Sequence, residues 1–149
     1  MVLIKEDKDK ILDTLNNWGG ETMARTLDIV FTEVGEETLT ATMPVAPKVH
    51  QPYGILHGGA SCVLAETLGS CLSVLHVDTE KFAPVGTNIN SNHLRSKKSG
   101  MVTGTARFIR KGNTMHVSEI EIRDEQGTLI NHTTMTNNII PRQHTEQAL

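Results

Sequence analysis

The middle of the chain holds a helix-length stretch that is apolar on nearly every side. From Gly58 to His76 it carries Ala60, Val63, Leu64, Ala65, Leu68, Cys71, Leu72, Val74 and Leu75. At about 100° per residue these positions cover most of a helical circumference, and at about 1.5 Å per residue the helix is close to 30 Å long. Such a helix is expected to be buried nearly all round. The simplest surface that can wrap it is one curved antiparallel sheet of five or six strands, an α+β layout. From Val49 to Val77 there is no Asp, Lys or Arg, and Glu66 is the only acid. A carboxylate in those surroundings is expensive to bury and is rarely present for stability.

The flanking segments supply the strands. Lys8 to Asn17 has Ile11, Leu12 and Leu15 at helical spacing and stops at Gly19-Gly20, which predicts a short amphipathic helix on the outside. From Met23 the period changes, and Leu27, Ile29 and Phe31 alternate up to Val34. Leu39, Ala41, Met43 and Val45 alternate with threonines, so the two runs predict a hairpin across Gly35. Prolines 44, 47 and 52 make Ala46 to Gly54 an ordered loop. Four strands follow, at 85–95, 101–110, 114–123 and 128–140. Asp124-Glu125-Gln126-Gly127 forms the last turn, and Pro141 begins a polar tail. The sheet would leave an edge, which dimerisation can cover.

Bulk properties remove several classes of function. With 149 residues the chain suits one domain, with a core at about 23–140. A net charge of −3 with scattered Lys and Arg, and 3% aromatic residues, argue against nucleic acid. No signal peptide is read at the charged start, and no apolar run reaches the roughly 20 residues of a membrane span. Cys62 and Cys71 fall on opposite faces of the central helix and cannot pair, which suits free thiols in a cytoplasmic protein. None of the seven histidines has a partner at the i, i+4 spacing of a helical zinc site, and there is no Gly-x-Ser-x-Gly elbow. No metal and no cofactor are expected.

The chemistry lies around Glu66. Glu66 is nine positions from His57, half a revolution away and about 13 Å along the axis. One copy of the helix therefore cannot bring Glu66 to its own His57-Gly58 end, so a shared site needs two subunits. Ser70, four positions on, shares the face of Glu66. At the other end, the first helical N–H groups are unpaired and carry the positive end of the dipole, and Gly58-Gly59 lets a ligand approach. That end can stabilise an oxyanion, while a carboxylate opposite it acts as nucleophile or as general base on water.

The stretch Gln51-Pro52-Tyr53-Gly54-Ile55-Leu56-His57-Gly58-Gly59-Ala60, with Leu64-Ala65-Glu66-Thr67-Leu68-Gly69-Ser70, resembles the hot-dog-fold acyl-CoA thioesterases. The likeness is to the branch with the 4-hydroxybenzoyl-CoA, phenylacetate-pathway and 1,4-dihydroxy-2-naphthoyl-CoA thioesterases. Val85-Gly86 and Asn90 to Ser96 share it, and the strand layout fits from Met23 to Ile139. The resemblance implies Glu66 as the catalytic carboxylate, the Gly58 N–H as donor to the thioester carbonyl and His57 as an aid in placing it. It implies Gln51 as a polar wall of the pocket, and Ser70 as a hydroxyl supporting the acid or its water. Gly86, Asn92, His93 and Arg95, with the turn Arg110, Lys111, Gly112, Asn113 and Thr114, fall where the family holds coenzyme A. Arg95, Arg110 and Lys111 suit its phosphates by charge. Coenzyme A is then part of the substrate, and the protein a homodimer or a homotetramer. Leu64, Leu68 and Leu72 are candidates to line an aryl or aliphatic acyl pocket. A hot-dog hydratase or dehydratase acting on acyl thioesters, and a non-catalytic acyl-CoA-binding module, are the alternatives.

Overall fold

The computed structural model describes residues 2–142. The elements in order are α1 (Lys8–Asn17), a single helical turn α2 (Met23–Thr26), β1 (Val30–Val34), β2 (Thr38–Val45), the two-residue strands β3 (His50–Gln51) and β4 (Ile55–Leu56), α3 (Gly58–Leu75), β5 (Phe82–His93), β6 (Gly100–Lys111), β7 (Met115–Asp124) and β8 (Leu129–Pro141). Six strands form one antiparallel sheet in the order β1-β2-β6-β7-β8-β5, and α3 lies across it. This is the α+β layout expected from the apolar helix and its flanking alternations, and the hot-dog fold that the resemblance implies. The proline-rich loop is ordered by the small β3–β4 ladder, which pairs Gln51 with Ile55. The polar tail beyond Pro141 lies, apart from Arg142, outside the described residues.

The core is the seam between helix and sheet. Leu64, Leu68, Leu72 and Leu75 are completely buried against Leu39, Met43, Val102, Ile120, Ile122 and Met135. Burying a side chain of this kind is worth roughly 1.5–3 kcal/mol, so this seam dominates stability. α3 has the length and mean hydropathy to suit a bilayer, and here that apolarity is spent on the sheet. The N-terminal helix α1 is capped by Asp7, whose carboxylate accepts from the Asp9 and Lys10 N–H groups at 3.0 and 3.4 Å. It packs Ile11 and Leu15 into the core beside β1.

Four expectations change. The first strand begins at Val30, because Met23–Thr26 winds one helical turn and Asp28 takes a left-handed φ of 53° before the chain extends. Its alternation is broken by a bulge between Phe31 and Glu33, which alternation alone does not reveal. The central helix is not buried all round in one chain: Gly59 and Glu66 are exposed, and Cys62, Val63, Thr67 and Ser70 are half-buried. Glu66 is thus not a buried acid here but stands in the uncovered face of α3. Finally, Leu64, Leu68 and Leu72 are sealed against the sheet, which removes them as walls of an acyl pocket. A sheet covers only one side of a helix, and helical periodicity shows the apolar circumference without showing what covers each part of it.

Candidate active site

Two clusters form on α3. The first is at its N-terminus. His57 is the cap residue: its Nδ1 accepts the Gly59 N–H at 2.8 Å, and its own N–H donates to the Val49 carbonyl at 2.9 Å. Because Nδ1 accepts, the ring proton of neutral His57 sits on Nε2. The His57 carbonyl accepts from the Ala60 and Ser61 N–H groups at 3.0 and 3.3 Å. Among the described residues the Gly58 N–H has no acceptor. It borders a cleft of about 320 Å³ lined by Gln51, Leu56, Gly58, His93, Arg95 and Ile130, with Ile55, Ser61, Leu94 and Ser96.

Gln51 Oε1 accepts the Tyr53 N–H at 2.7 Å, its NH2 group has no partner among the described residues, and the residue lines the cleft. The His93 imidazole lies over Gly58 so closely that an added Cβ there would come within 2.6 Å of Nε2. Any side chain at this first helical position would have to displace the His93 ring. Arg95 also lines the cleft and is tethered by Nη1 to the Leu129 carbonyl at 3.2 Å. An unpaired helix-terminal N–H, an amide NH2, an imidazole and a guanidinium therefore converge on one opening. Such a set binds an anionic or strongly polarised oxygen.

The second cluster surrounds Glu66. Its carboxylate stands beside Gly86 of β5, where an added Cβ would lie 3.5 Å from Oε1. With Thr87, Asn88, Ile89 and Met135 these residues line an open hollow of about 160 Å³. Ser70 is half-buried on the same face one turn further on. A bulge places Thr87 as an extra residue between Gly86 and Asn88, and its hydroxyl donates to the Thr136 carbonyl at 3.3 Å.

The two clusters do not meet in one chain. Gly86 pairs with Asn137 and His93 with Asn131, so they stand six rungs apart on β8, about 20 Å at the usual rise of a strand. The turn from Arg110 to Thr114 joins neither cluster. Lys111 and His116 pair, His116 pairs with Asn137, and Asn137 with Gly86, which leaves β7 and β8 between the turn and Glu66. Lys111 is ion-paired with Glu37 and lies 5.7 Å from the Phe108 ring centre. That pairing lowers the Glu37 carboxyl below its ordinary range. Arg110 and Asn113 are exposed, and the Gly112 N–H closes the turn on the Met115 carbonyl at 2.9 Å. Asn92 is exposed near the end of β5. Cys62 and Cys71 are free, and burial pushes the Cys71 thiol up to about 12, which leaves it inert.

Comparison with known proteins decides the family. The model of the family described as "Thioesterase superfamily" matches residues 53–131, which include His57, Gly58, Glu66, Gly86 and His93. The chain belongs to the thioesterase superfamily. This thioesterase is 43% identical to the 1,4-dihydroxy-2-naphthoyl-CoA hydrolase of Escherichia coli over 129 residues, covering 87% of this chain and 94% of that protein. It is 44% identical over 116 residues to the proofreading thioesterase EntH of Cronobacter sakazakii, covering 78% of this chain and 84% of the relative. Among solved structures, a thioesterase of Haemophilus influenzae superposes with a TM-score of 0.88 at 35% identity, covering 99% of this chain and all of the other.

The residues missed from sequence lie behind His93. Asn131 and Thr133 are fully buried on β8, where the inward positions 131, 133, 135, 137 and 139 hold Asn, Thr, Met, Asn and Ile. Three polar residues in the inward phase of a central strand are a signal that the sequence carries, because each needs a partner once buried.

Proposed function

We propose that this thioesterase hydrolyses acyl-CoA thioesters to the free acid and coenzyme A, in a site completed by a second copy of the chain. The observation that carries this reading is an unpartnered Gly58 N–H at the start of α3 together with an exposed Glu66 midway along it, two halves that one chain does not bring together. The Gly58 N–H would donate to the thioester carbonyl, and a well-placed donor of that kind is worth ~3–4 kcal/mol in the transition state. The Gln51 NH2 group would line the same side, with His57 holding the helix end in shape. Glu66 would attack the carbonyl carbon or deprotonate the attacking water, with Ser70 close enough along the helix to support that water.

A second copy supplies the missing half. β5 is a sheet edge, hydrogen-bonded on one side only. Antiparallel pairing of β5 with its own copy, centred near Ile89 and Asn90, would bring Gly86 of one copy close to His93 of the other. Each Glu66 would then approach the Gly58 end of the other helix, giving two equivalent sites. Covering that face also removes water from around Glu66. A dimer of such dimers would be the tetramer. The turn from Arg110 to Thr114, with Asn92 and Arg95, would meet the nucleotide and pantetheine of coenzyme A. The chemistry needs a carboxylate, backbone N–H groups and water, and calls for no cofactor.

The test is thiol release from a panel of aryl- and alkyl-CoA thioesters, with Glu66→Ala alongside. Release that disappears in the variant supports the reading. No release above background from any thioester, or an undiminished variant, ends it.

A further inference from the structure

His93 is held from behind by a closed ring of side chains. The Asn131 Nδ2 group donates to the Ser91 hydroxyl at 2.8 Å and reaches His93 Nδ1 at 3.0 Å. Ser91 and Thr133 hydroxyls are 2.8 Å apart, and Thr133 donates back to Asn131 Oδ1 at 2.8 Å. Followed in order, Asn131 gives a hydrogen to Ser91, Ser91 to Thr133, and Thr133 to Asn131. Every polar atom of the ring is satisfied in one direction of travel. The second hydrogen of the Asn131 amide has one place to go, His93 Nδ1. An amide nitrogen cannot accept, so His93 Nδ1 is the acceptor, and its ring proton in the neutral form is on Nε2.

We propose that Asn131 is a positioning residue that acts through His93, fixing it as the Nε2–H form so that it presents a second donor to the acyl-thioester group lodged against Gly58. Three observations converge on this role. Asn131 and Thr133 are wholly buried, where a half-satisfied network would be costly and a complete one holds a single arrangement. The His93 ring is pressed on Gly58 with Nε2 the atom nearest to the position of an added Cβ. His93 lines the same cleft as the unpartnered Gly58 N–H. The arrangement matches the way second partners of active-site histidines set the tautomer of the first. The proposal rests on the acyl-transfer reading of that cleft for its function, while the tautomer itself can be measured without any turnover.

The experiment is long-range proton–nitrogen NMR on the 15N-labelled full-length protein, with His93 assigned by its absence in His93→Gln. The proton is expected on Nε2 in the wild type. Asn131→Asp replaces the donor with an acceptor and should move the proton to Nδ1, reversing the pattern. In the same variant kcat should fall by about 10-fold, the loss of one neutral hydrogen bond to the transition state, with KM changed less than kcat. Thr133→Val, a milder change, removes the hydroxyl that orients the Asn131 amide and should give a mixture of both protonated nitrogens. A wild-type proton on Nδ1 means that the ring runs the other way, and overturns the proposal. So does an Asn131→Asp variant that is folded but has an unchanged tautomer, or a loss confined to KM. A Thr133→Val protein with Nε2–H alone overturns the role of the ring. Should no thioester be cleaved at all, the NMR pattern still decides the positioning claim and only the acyl-transfer reading falls.

Discussion

The two edges of the sheet meet the same physical problem and solve it differently. An edge strand exposes a row of unpaired N–H and C=O groups that will pair with whatever extended chain arrives. At β1 the chain deals with this itself. The strand is only five residues long, carries a bulge, and lies beside α1. There the Asn16 side chain imitates a neighbouring strand: its Nδ2 donates to the Phe31 carbonyl at 3.0 Å and its Oδ1 accepts the Phe31 N–H at 2.8 Å. At β5 nothing comparable exists among the described residues. The strand runs for twelve residues, exposes Val85 and Ile89, and borders both site clusters, Gly86 beside Glu66 and His93 against Gly58. An edge closed from within is a means of staying separate. On the proposed reading, a long edge left open beside the two clusters is where a second copy would pair.

The sharpest way to break the comparison is at the chemistry of the open edge. Glu66→Ala should lower kcat/KM for thioester hydrolysis by about 10²–10⁴-fold, the range for a positioned acid or base, with the fold unchanged by circular dichroism. Next comes the edge itself. Ile89→Lys with Asn90→Lys would crowd like charges around the centre of the β5 pairing. Light scattering should then report a folded monomer, with activity reduced by at least ~10-fold on loss of the shared site. The same pair of lysines at Thr32 and Glu33 on β1 should leave the mass unchanged; monomerisation there and not at β5 would reverse the assignment.

A smaller effect is expected at the closed edge. Asn16→Ala leaves the part-buried Phe31 N–H and carbonyl without partners, a cost of about 1–3 kcal/mol. The urea midpoint should fall while turnover at saturating substrate is retained. The smallest effect is a pH dependence at the end of the sheet near Arg95. Glu125 accepts from Lys97 and from the Met101 N–H at 2.6 Å, which lowers its carboxyl to about 2. A carboxyl lowered in the folded state stabilises above its unfolded value, near 4.5, and that contribution fades as pH falls toward 2. Wild type should therefore exceed Glu125→Gln in stability above about pH 4.5, and the gap should narrow on acidification. A gap that is constant with pH would assign the loss to shape and not to charge.

Much of the fold was legible because its signals are local. The helix expected from Gly58 to His76 ends at Leu75, and β6, β7 and β8 each lie within two residues of their expected limits. Gly127, at a φ of 79°, turns β7 into β8 where the Asp-Glu-Gln-Gly run predicted it. What the sequence did not show depends on pairings between distant segments. The helical turn at Met23–Thr26 packs on α3, and the bulge after Phe31 belongs to the pairing with β2, neither of which the local residues reveal. Leu64 and Leu68 face the sheet while Glu66 between them faces out, a division that only the position of the sheet settles. The Asn131 ring joins β5 to β8 across forty residues of chain.

The sequence by itself determined the central helix, the alternating strands, the glycine at the helix start and the separation of Glu66 from it, because each is a matter of spacing along one backbone. The tertiary structure decided which face of α3 is sealed and which is open, which sheet edge is plugged and which is bare, and that a buried asparagine stands behind His93. Those outcomes follow from burial and hydrogen-bond satisfaction, which are properties of what surrounds a residue and not of the residue itself.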